Sequence, residues 1–235
     1  MAADGIVDAR RASIVAFYAD LPAALAELVT QLQGQAGDRL GPAFAARPAE
    51  QVHATLIGLE TPPPSHAEAD RARFDAGPLL AHLVRTFTEH PIDLQFGGAG
   101  RADRRLLSRG STRYERSFLV GPADVVLIGW PVRDGVGGVV PSPELAAIRR
   151  GCEPFGARHR YHVEPGSHDA DAYLVIGRID GPPGPVAADL ADTVRRRLAT
   201  DPVRVRLGAE QLSLVEYDDT ALPSASTRRR PLVGF

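Results

Sequence analysis

The chain reads as a mixed helix-and-strand fold built from two blocks of one plan. In each block a strand and a helix come first, then a strongly apolar strand, then a turn and another helix. The two apolar strands, VHATLIGLE over 52–60 and AYLVIGRID over 172–180, both carry a Gly followed within three residues by an acid. Helical segments place apolar residues three and four apart, whereas the strands are short apolar or alternating runs bounded by Gly and Pro. With 235 residues the chain suffices for one large domain or two small ones.

Apolar residues make up 44% and charged residues 24%, which excludes general disorder. The formal charge is -2, and the cations are Arg rather than Lys. Arginine suits phosphate and carboxylate, but GC-rich coding sequence yields the same bias. Cys152 is the only cysteine, so an intramolecular disulfide and a Cys-based zinc site are excluded and a reducing cytoplasm is expected. The N-terminus MAADGIVDARR lacks the apolar core of a signal peptide, and no apolar run approaches the roughly 18 residues of a membrane span. A cytoplasmic protein without membrane association is the expectation.

Ala12 to Tyr18 is a first strand, apolar and β-branched. Asp20 is the expected cap of a helix with Pro22 in its first turn and Leu21, Leu25, Leu28, Val29 and Leu32 at helical spacing; Gly34 and Gly37 end it. Pro48 to Glu60 holds the next strand, and TPPPS at 61–65 is a loop because proline lacks the donor. Asp75 to Glu89 is helical, and Ile92 to Phe96 is a short strand ended by GGAG. From Arg101 to Arg116 six cations surround few apolar residues, giving either an arginine rim for phosphate or a solvated loop. Ser117–Val120 and Val125–Trp130 form a hairpin with Trp130 in the core.

Asp134 to Pro141 is a flexible glycine loop without P-loop or GxGxxG spacing, which argues against nucleoside triphosphate chemistry. Ser142 caps a helix opened by Pro143 and running to about Phe155, with Leu145, Ile148 and a buried, inert Cys152 inward. Tyr173 to Asp180 is a strand and Val186 to Leu198 an amphipathic helix. Val203–Leu207 and Gln211–Tyr217 make a closing antiparallel pair, and the tail is mobile or packs across an edge.

His53 is the anomaly, an imidazole where a buried strand calls for an aliphatic residue. In extended conformation His53, Thr55, Ile57 and Leu59 share one face, and Val52, Ala54, Leu56 and Gly58 the other. A polar pair at the start of such a strand sits where it opens into a cleft, with His53 to move a proton and Thr55 to donate to an anionic oxygen. The competing reading is a hydrogen-bonded structural histidine beside a strand-favouring threonine. His66, His82 and His90 lack neighbouring ligand types at metal spacing. His159, His162 and His168 gather with Glu164, Asp169 and Asp171, but the spacing matches no known ligand set; no metal is expected, and the segment is read as a loop edging the cleft.

His53-Ala54-Thr55-Leu56, with the element order, resembles the two-histidine (2H) phosphoesterase superfamily, which contains 2'-5' RNA ligases and cyclic nucleotide phosphodiesterases. The resemblance spans most of the chain in outline, and its specific motif occurs once. It implies an α+β fold, bilobal and pseudo-symmetric, with antiparallel sheets flanked by helices. Here that means a single domain over 1–235, with lobes near 12–100 and 117–220 and a C-terminal tail over 221–235. It further implies two His-x-Thr/Ser strands facing each other across a groove. One histidine takes the proton of the attacking hydroxyl or water, the other protonates the leaving oxygen, and the hydroxyls hold the phosphate.

Where the second motif falls, the chain has Tyr173-Leu174-Val175-Ile176, with tyrosine in the histidine position and valine in the threonine position. A phenol with a pKa near 10 donates a proton but is a poor base at neutral pH. If Tyr173 is the acid, His53 must be the base. Alternatively His162 or His168 folds back to supply a second imidazole, or the groove binds its ligand without cleaving it. The resemblance thus implies a metal-independent, cofactor-free phosphodiesterase acting on a 2',3'-cyclic phosphate or 2'-5' phosphodiester of RNA or a nucleotide. Its catalytic residues would be His53, Thr55 and Tyr173, and its substrate contacts Arg109, Arg113, Arg116, His162 and His168. The rivals are a catalytically silent nucleotide- or RNA-binding module and a protein-interaction domain.

Overall fold

The structure, a computed structural model, describes residues 6–8, 11–59, 74–157, 169–181 and 184–233. The first half of the chain gives β1 (Ile6–Val7), β2 (Ala12–Ala16), α1 (Ala23–Leu40), β3 (Phe44–Ala46), β4 (Ala54–Gly58), β5 (Phe74–Asp75), α2 (Gly77–Glu89) and β6 (Ile92–Phe96). A middle stretch follows with β7 (Leu107–Ser108), β8 (Ser111–Thr112), α3 (Arg113–Arg116), β9 (Phe118–Val120), β10 (Asp124–Gly135), β11 (Gly138–Pro141) and α4 (Glu144–Gly151). The last elements are β12 (Ala172–Ile179), α5 (Pro185–Thr200), β13 (Val203–Leu207), β14 (Leu212–Tyr217) and β15 (Thr227–Pro231).

The fold is α+β, with one large antiparallel sheet flanked by helices. Its main path runs β13-β6-β10-β12-β4-β2-β14-β15, with β9 and β11 on β10 and β3 on β12. Leu25, Leu28 and Leu32 of α1, Leu79, Leu83 and Phe87 of α2, and Leu190, Val194 and Leu198 of α5 join the inward strand residues in one core. Their apolar stripes have no other way to leave water.

The sheet is curled. β13 and β14 stand six strand spacings apart along the path, about 29 Å on a flat sheet. Only residues 208–211 join them, and that connection reaches at most about 17 Å. The two strands therefore do not form the closing pair that their proximity in sequence suggests; β13 bonds to β6, and β14 lies between β2 and β15. The tail's Thr227–Pro231 covers that edge.

Two bulges set which side chains face which way. On β4, Ile57 pairs with Ile14 and Thr55 with Val15, leaving Leu56 as the extra residue. On β12, Gly177 pairs with Val125 and Val175 with Val126, leaving Ile176 as the extra residue. An extra residue resets the alternation of a strand. Ile57 and Leu59 accordingly turn into the core instead of sharing a face with His53 and Thr55. Arg178, by the same reset, shares the face of Tyr173 and Val175.

Three local expectations are corrected. Pro22, not Asp20, caps α1, without a side-chain bond, and the helix continues through Gly34 and Gly37 to Leu40. Buried Leu32 and Ala36 hold those last turns, which offsets a glycine cost of about 1 kcal/mol each. Residues 134–141 are not a loop: β10 runs on to Gly135, which pairs with Gly138 across a two-residue turn that uses the positive φ of Gly137. Helix α4 ends at Gly151, short of Phe155, while the Ser142 hydroxyl accepts the Glu144 N–H at 3.3 Å at its start, as expected. The TPPPS segment lies outside the described residues. Among those described, no helix is long and apolar enough to cross a membrane.

Strands β4 and β12 share a single register pair, Ala54 with Leu174. Beyond it their carbonyls need other partners. At one end buried Arg149 of α4 supplies them, with Nε donating to Leu56 O at 2.9 Å and Nη2 to Thr55 O at 3.0 Å. Its Nη1 donates to Asp171 O at 3.1 Å and also to Asp169 O. At the other end Gln33 Nε2 of α1 donates to Ile176 O at 2.8 Å and Arg47 O at 2.7 Å. Arg149→Met should destabilise the fold by about 3 kcal/mol or more, since it strands several buried acceptors. Arg149→Lys should recover only a minor part, because an ammonium lacks the planar fork. Urea unfolding midpoints of the two variants measure both effects.

Candidate functional site

A cavity of about 420 Å³ lies over the junction of β4 and β12, on the face turned away from the main core. Ala54 opposite Leu174 brings Thr55 beside Tyr173 and His53 beside Val175 in the antiparallel register. All four side chains line the cavity. Ser13, Val15 and Tyr217 extend the same wall, with Ser13 Oγ and Tyr217 Oη hydrogen-bonded at 2.9 Å.

His53 is half-buried, with its ring set edge-on to Tyr18 at 6.1 Å. Its Nδ1 lies 2.7 Å from Gln51 O. Only a protonated Nδ1 makes that bond, so Nε2 carries the lone pair. Burial is the main cause that lowers its pKa from 6.5 to about 4; the Gln51 bond opposes this and the Arg47 charge adds to it. The imidazole is neutral at pH 7 and available as a base. The half-buried Thr55 hydroxyl has no hydrogen-bond partner among the described residues, which leaves it able to donate to a ligand. Tyr173 is 38% exposed, and Val175 packs against the Val126, Ile128 and Trp130 cluster.

Of the arginines expected at the site, one reaches it. Arg109 sits at the tip of the β7–β8 hairpin with φ 49°, followed by Gly110 at φ 76°. That two-residue turn asks for positive φ at both positions, an unfavourable demand on an arginine. The turn delivers Arg109 to the cavity wall, where Nε donates to Asp169 at 2.7 Å. Burial lowers the Arg109 pKa, but the Asp169 hydrogen bond and charge, followed by Asp171 and Tyr173, outweigh it and the net shift is upward. Arg113 and Arg116 stand behind the wall, both buried, paired with Asp103 and Asp171 at 2.7 Å. Buried guanidiniums take a carboxylate when one is in reach, and these two are consumed by structure. Arg116 acts on the cavity only through Asp171, which Ser108 Oγ also holds at 3.0 Å. His162 and His168 lie outside the described residues.

Five further charged groups on the wall were not singled out in the sequence: Arg47, Asp124, Arg149, Arg178 and Asp219. Arg47 comes from the segment after β3 and bonds to Ala221 O at 3.1 Å. Nothing in a chain so rich in arginine marks Arg47, and simple alternation points Arg178 the wrong way. Cys152 is fully buried, and burial pushes its thiol up to about 12, which makes it unreactive as expected. The whole offers a neutral base, a donor hydroxyl, a phenol and guanidiniums around one space, the set that a tetrahedral oxyanion requires.

No family model matches the chain, and no curated protein matches it. Among solved structures it is similar to the crystal structure of TT0787 of Thermus thermophilus, at 15% identity and a TM-score of 0.48, over 94% of this chain and 93% of that one.

Because folding lowers the His53 pKa, the unfolded chain binds the extra proton between pH 6.5 and about 4, and stability falls as pH drops through that window. Wild type should lose about 2 kcal/mol more than His53→Gln on going from pH 7 to 4, allowing for partial solvent screening. Urea titrations of both proteins at several pH values give the difference directly.

Proposed function

We propose that the chain is a one-histidine phosphodiesterase of the 2H phosphoesterase type, acting on a 2',3'-cyclic phosphate or 2'-5' phosphodiester of a nucleotide or RNA. The observation that supports this best is the convergence of His53, Thr55 and Tyr173 on one cavity through the Ala54–Leu174 register. Also in its favour, β4 and β12 each carry a bulge one residue past the second motif position, as a pseudo-symmetric pair of strands would. The lobed, pseudo-symmetric description of the fold belongs to this proposal.

In the reaction, His53 Nε2 takes a proton from water as the water oxygen attacks phosphorus. The bond from phosphorus to one ester oxygen breaks, and that oxygen takes the phenolic proton of Tyr173. Solvent returns a proton to the phenolate, and the imidazolium releases its own. Thr55 Oγ1 donates to a non-bridging oxygen through the addition, and Arg109 adds positive charge on the Tyr173 side. Valine at 175 removes the second hydroxyl, so the reaction has fewer donors to the phosphate than two complete motifs supply.

Purified protein should open adenosine 2',3'-cyclic phosphate, and His53→Ala should abolish this while the far-UV spectrum and unfolding midpoint at pH 8 remain near those of wild type. kcat/KM should stay level from pH 7 to 5 and fall about tenfold per unit below about 4, following the free enzyme's His53. A fall centred near 6.5 would remove His53 as the base. Tight binding without turnover would assign a binding module instead.

The second motif supplies a separate test. Tyr173→His combined with Val175→Thr should raise kcat by at least about tenfold, because a general acid of matched pKa and a second phosphate donor are restored together. Steady-state turnover of the cyclic nucleotide reads this out, and an unchanged kcat would mean that β12 does not face the reacting phosphate.

A further inference from the structure

Of the cavity's cations, Arg109 is paired with Asp169 and Arg149 is committed to backbone carbonyls. Arg47 and Arg178 differ. Neither has a carboxylate within ion-pair distance among the described residues, and the Arg47 guanidinium donates to a neutral carbonyl, Ala221 O at 3.1 Å. They are near enough to repel each other, and Arg47 also bears on His53. Asp124 and Asp219 line the same cavity; Asp124 attracts Arg47 more strongly than Arg178 repels it, yet neither carboxylate is within ion-pair distance, and Asp219 is engaged by the Ala221 amide at 2.8 Å, so burial remains the larger cost to Arg47. The Ile176 bulge is what sets Arg178 on this face, although its cross-strand neighbour Asp124 is available as a partner.

Two adjacent guanidiniums with no paired anion, one of them half-buried, incur mutual repulsion and desolvation that an anion would relieve. We infer that Arg47 and Arg178 form a second anion subsite, which takes a terminal phosphomonoester of the same ligand whose phosphodiester lies at His53, Thr55 and Tyr173. This rests on the proposed function for the identity of the first subsite. Arg178 is three residues along β12 from Val175, at most about 10 Å between backbone positions, so its long side chain can reach back to a 5'-phosphate on the same ribose whose 2',3' edge lies at His53. The ligand class is therefore a nucleotide carrying a 5'-phosphate in addition to the reacting diester.

The test compares adenosine 2',3'-cyclic phosphate with its 5'-phosphorylated form, in binding by calorimetry and in turnover. Wild type should bind the 5'-phosphorylated form about tenfold more tightly, the worth of one charge-assisted contact. Arg178→Gln, an exposed position whose loss does not threaten the fold, should bind the two forms alike while its affinity for the unphosphorylated one stays unchanged. Arg47→Gln should act in the same direction. Equal affinities in wild type, a preference that survives both substitutions, or no binding of either form would overturn the subsite. A preference that is lost in Arg178→Gln without turnover of either form keeps the subsite and sinks the phosphodiesterase reading. Turnover without any preference does the reverse.

Discussion

Everything at the candidate site follows from how little β4 and β12 touch. One residue pair, Ala54 with Leu174, holds them in register at the centre of the sheet, and a bulge on each strand ends regular alternation on either side. The carbonyls freed there need donors, and they receive them from side chains of helices on the other face. Arg149 reaches the Leu56 carbonyl on β4, and Gln33 reaches the Ile176 carbonyl on β12. Both acceptors belong to the bulge residues themselves. The junction is thus irregular yet satisfied, which is the condition for a buried backbone to leave the ladder.

That irregularity has electrostatic consequences. A guanidinium buried beneath the junction has its charge spread over neutral carbonyls, and burial lowers its pKa, opposed by Asp171 and Asp169. On the cavity side, some charged groups of the wall are held in ion pairs and others are not. Asp169 holds Arg109 and Asp171 holds Arg116, whereas Arg47 and Arg178 have no such partner among the described residues. The guanidiniums at the Tyr173 end are locked in ion pairs, and those nearer His53 are held only by the longer-range attraction of Asp124 and Asp219. An anion entering the cavity meets a neutral imidazole, and its arrival would favour imidazolium there.

Much of the scaffold is legible in the sequence because it depends on local periodicity. The 3.6-residue recurrence of Leu79, Leu83 and Phe87 needs no tertiary information to place a helix, and the alternation of Ile92 to Phe96 places a strand. His53 and Thr55 share a face with two-residue spacing whatever happens further along β4. The bulges are not legible, since Leu56 and Ile176 are ordinary strand residues, without the Gly or Pro that marks irregularity. Their positions are dictated by β2 and β10, which pair from distant parts of the chain. Ile57 and Leu59, expected on the His53 face, lie in the core for that reason alone. Arg113 and Arg116 could not be told from Arg109, because all three find aspartates that are distant or unmarked in sequence, and what separates them is that the fold buries the first two behind the wall and its hairpin carries the third to the cavity.

The two halves of the site are built to different ends, although the strands beneath them match. On β4 the face toward the cavity is polar, with Thr55 and His53 set beside Ser13 of β2. On β12 the same face begins with a phenol and continues with Val175, which packs on Val126, Ile128 and Trp130 as part of a small apolar cluster. A threonine methyl would keep part of that packing, but its hydroxyl would need a partner in an environment that supplies none except a bound ligand. Valine at 175 thus favours the ligand-free wall and leaves that position without a hydrogen-bond donor. Tyr173, by contrast, is 38% exposed and lines the cavity without joining that cluster. Strand β12 thus gives Val175 to apolar packing, whereas the imidazole and the threonine hydroxyl of the cavity lie at the start of β4.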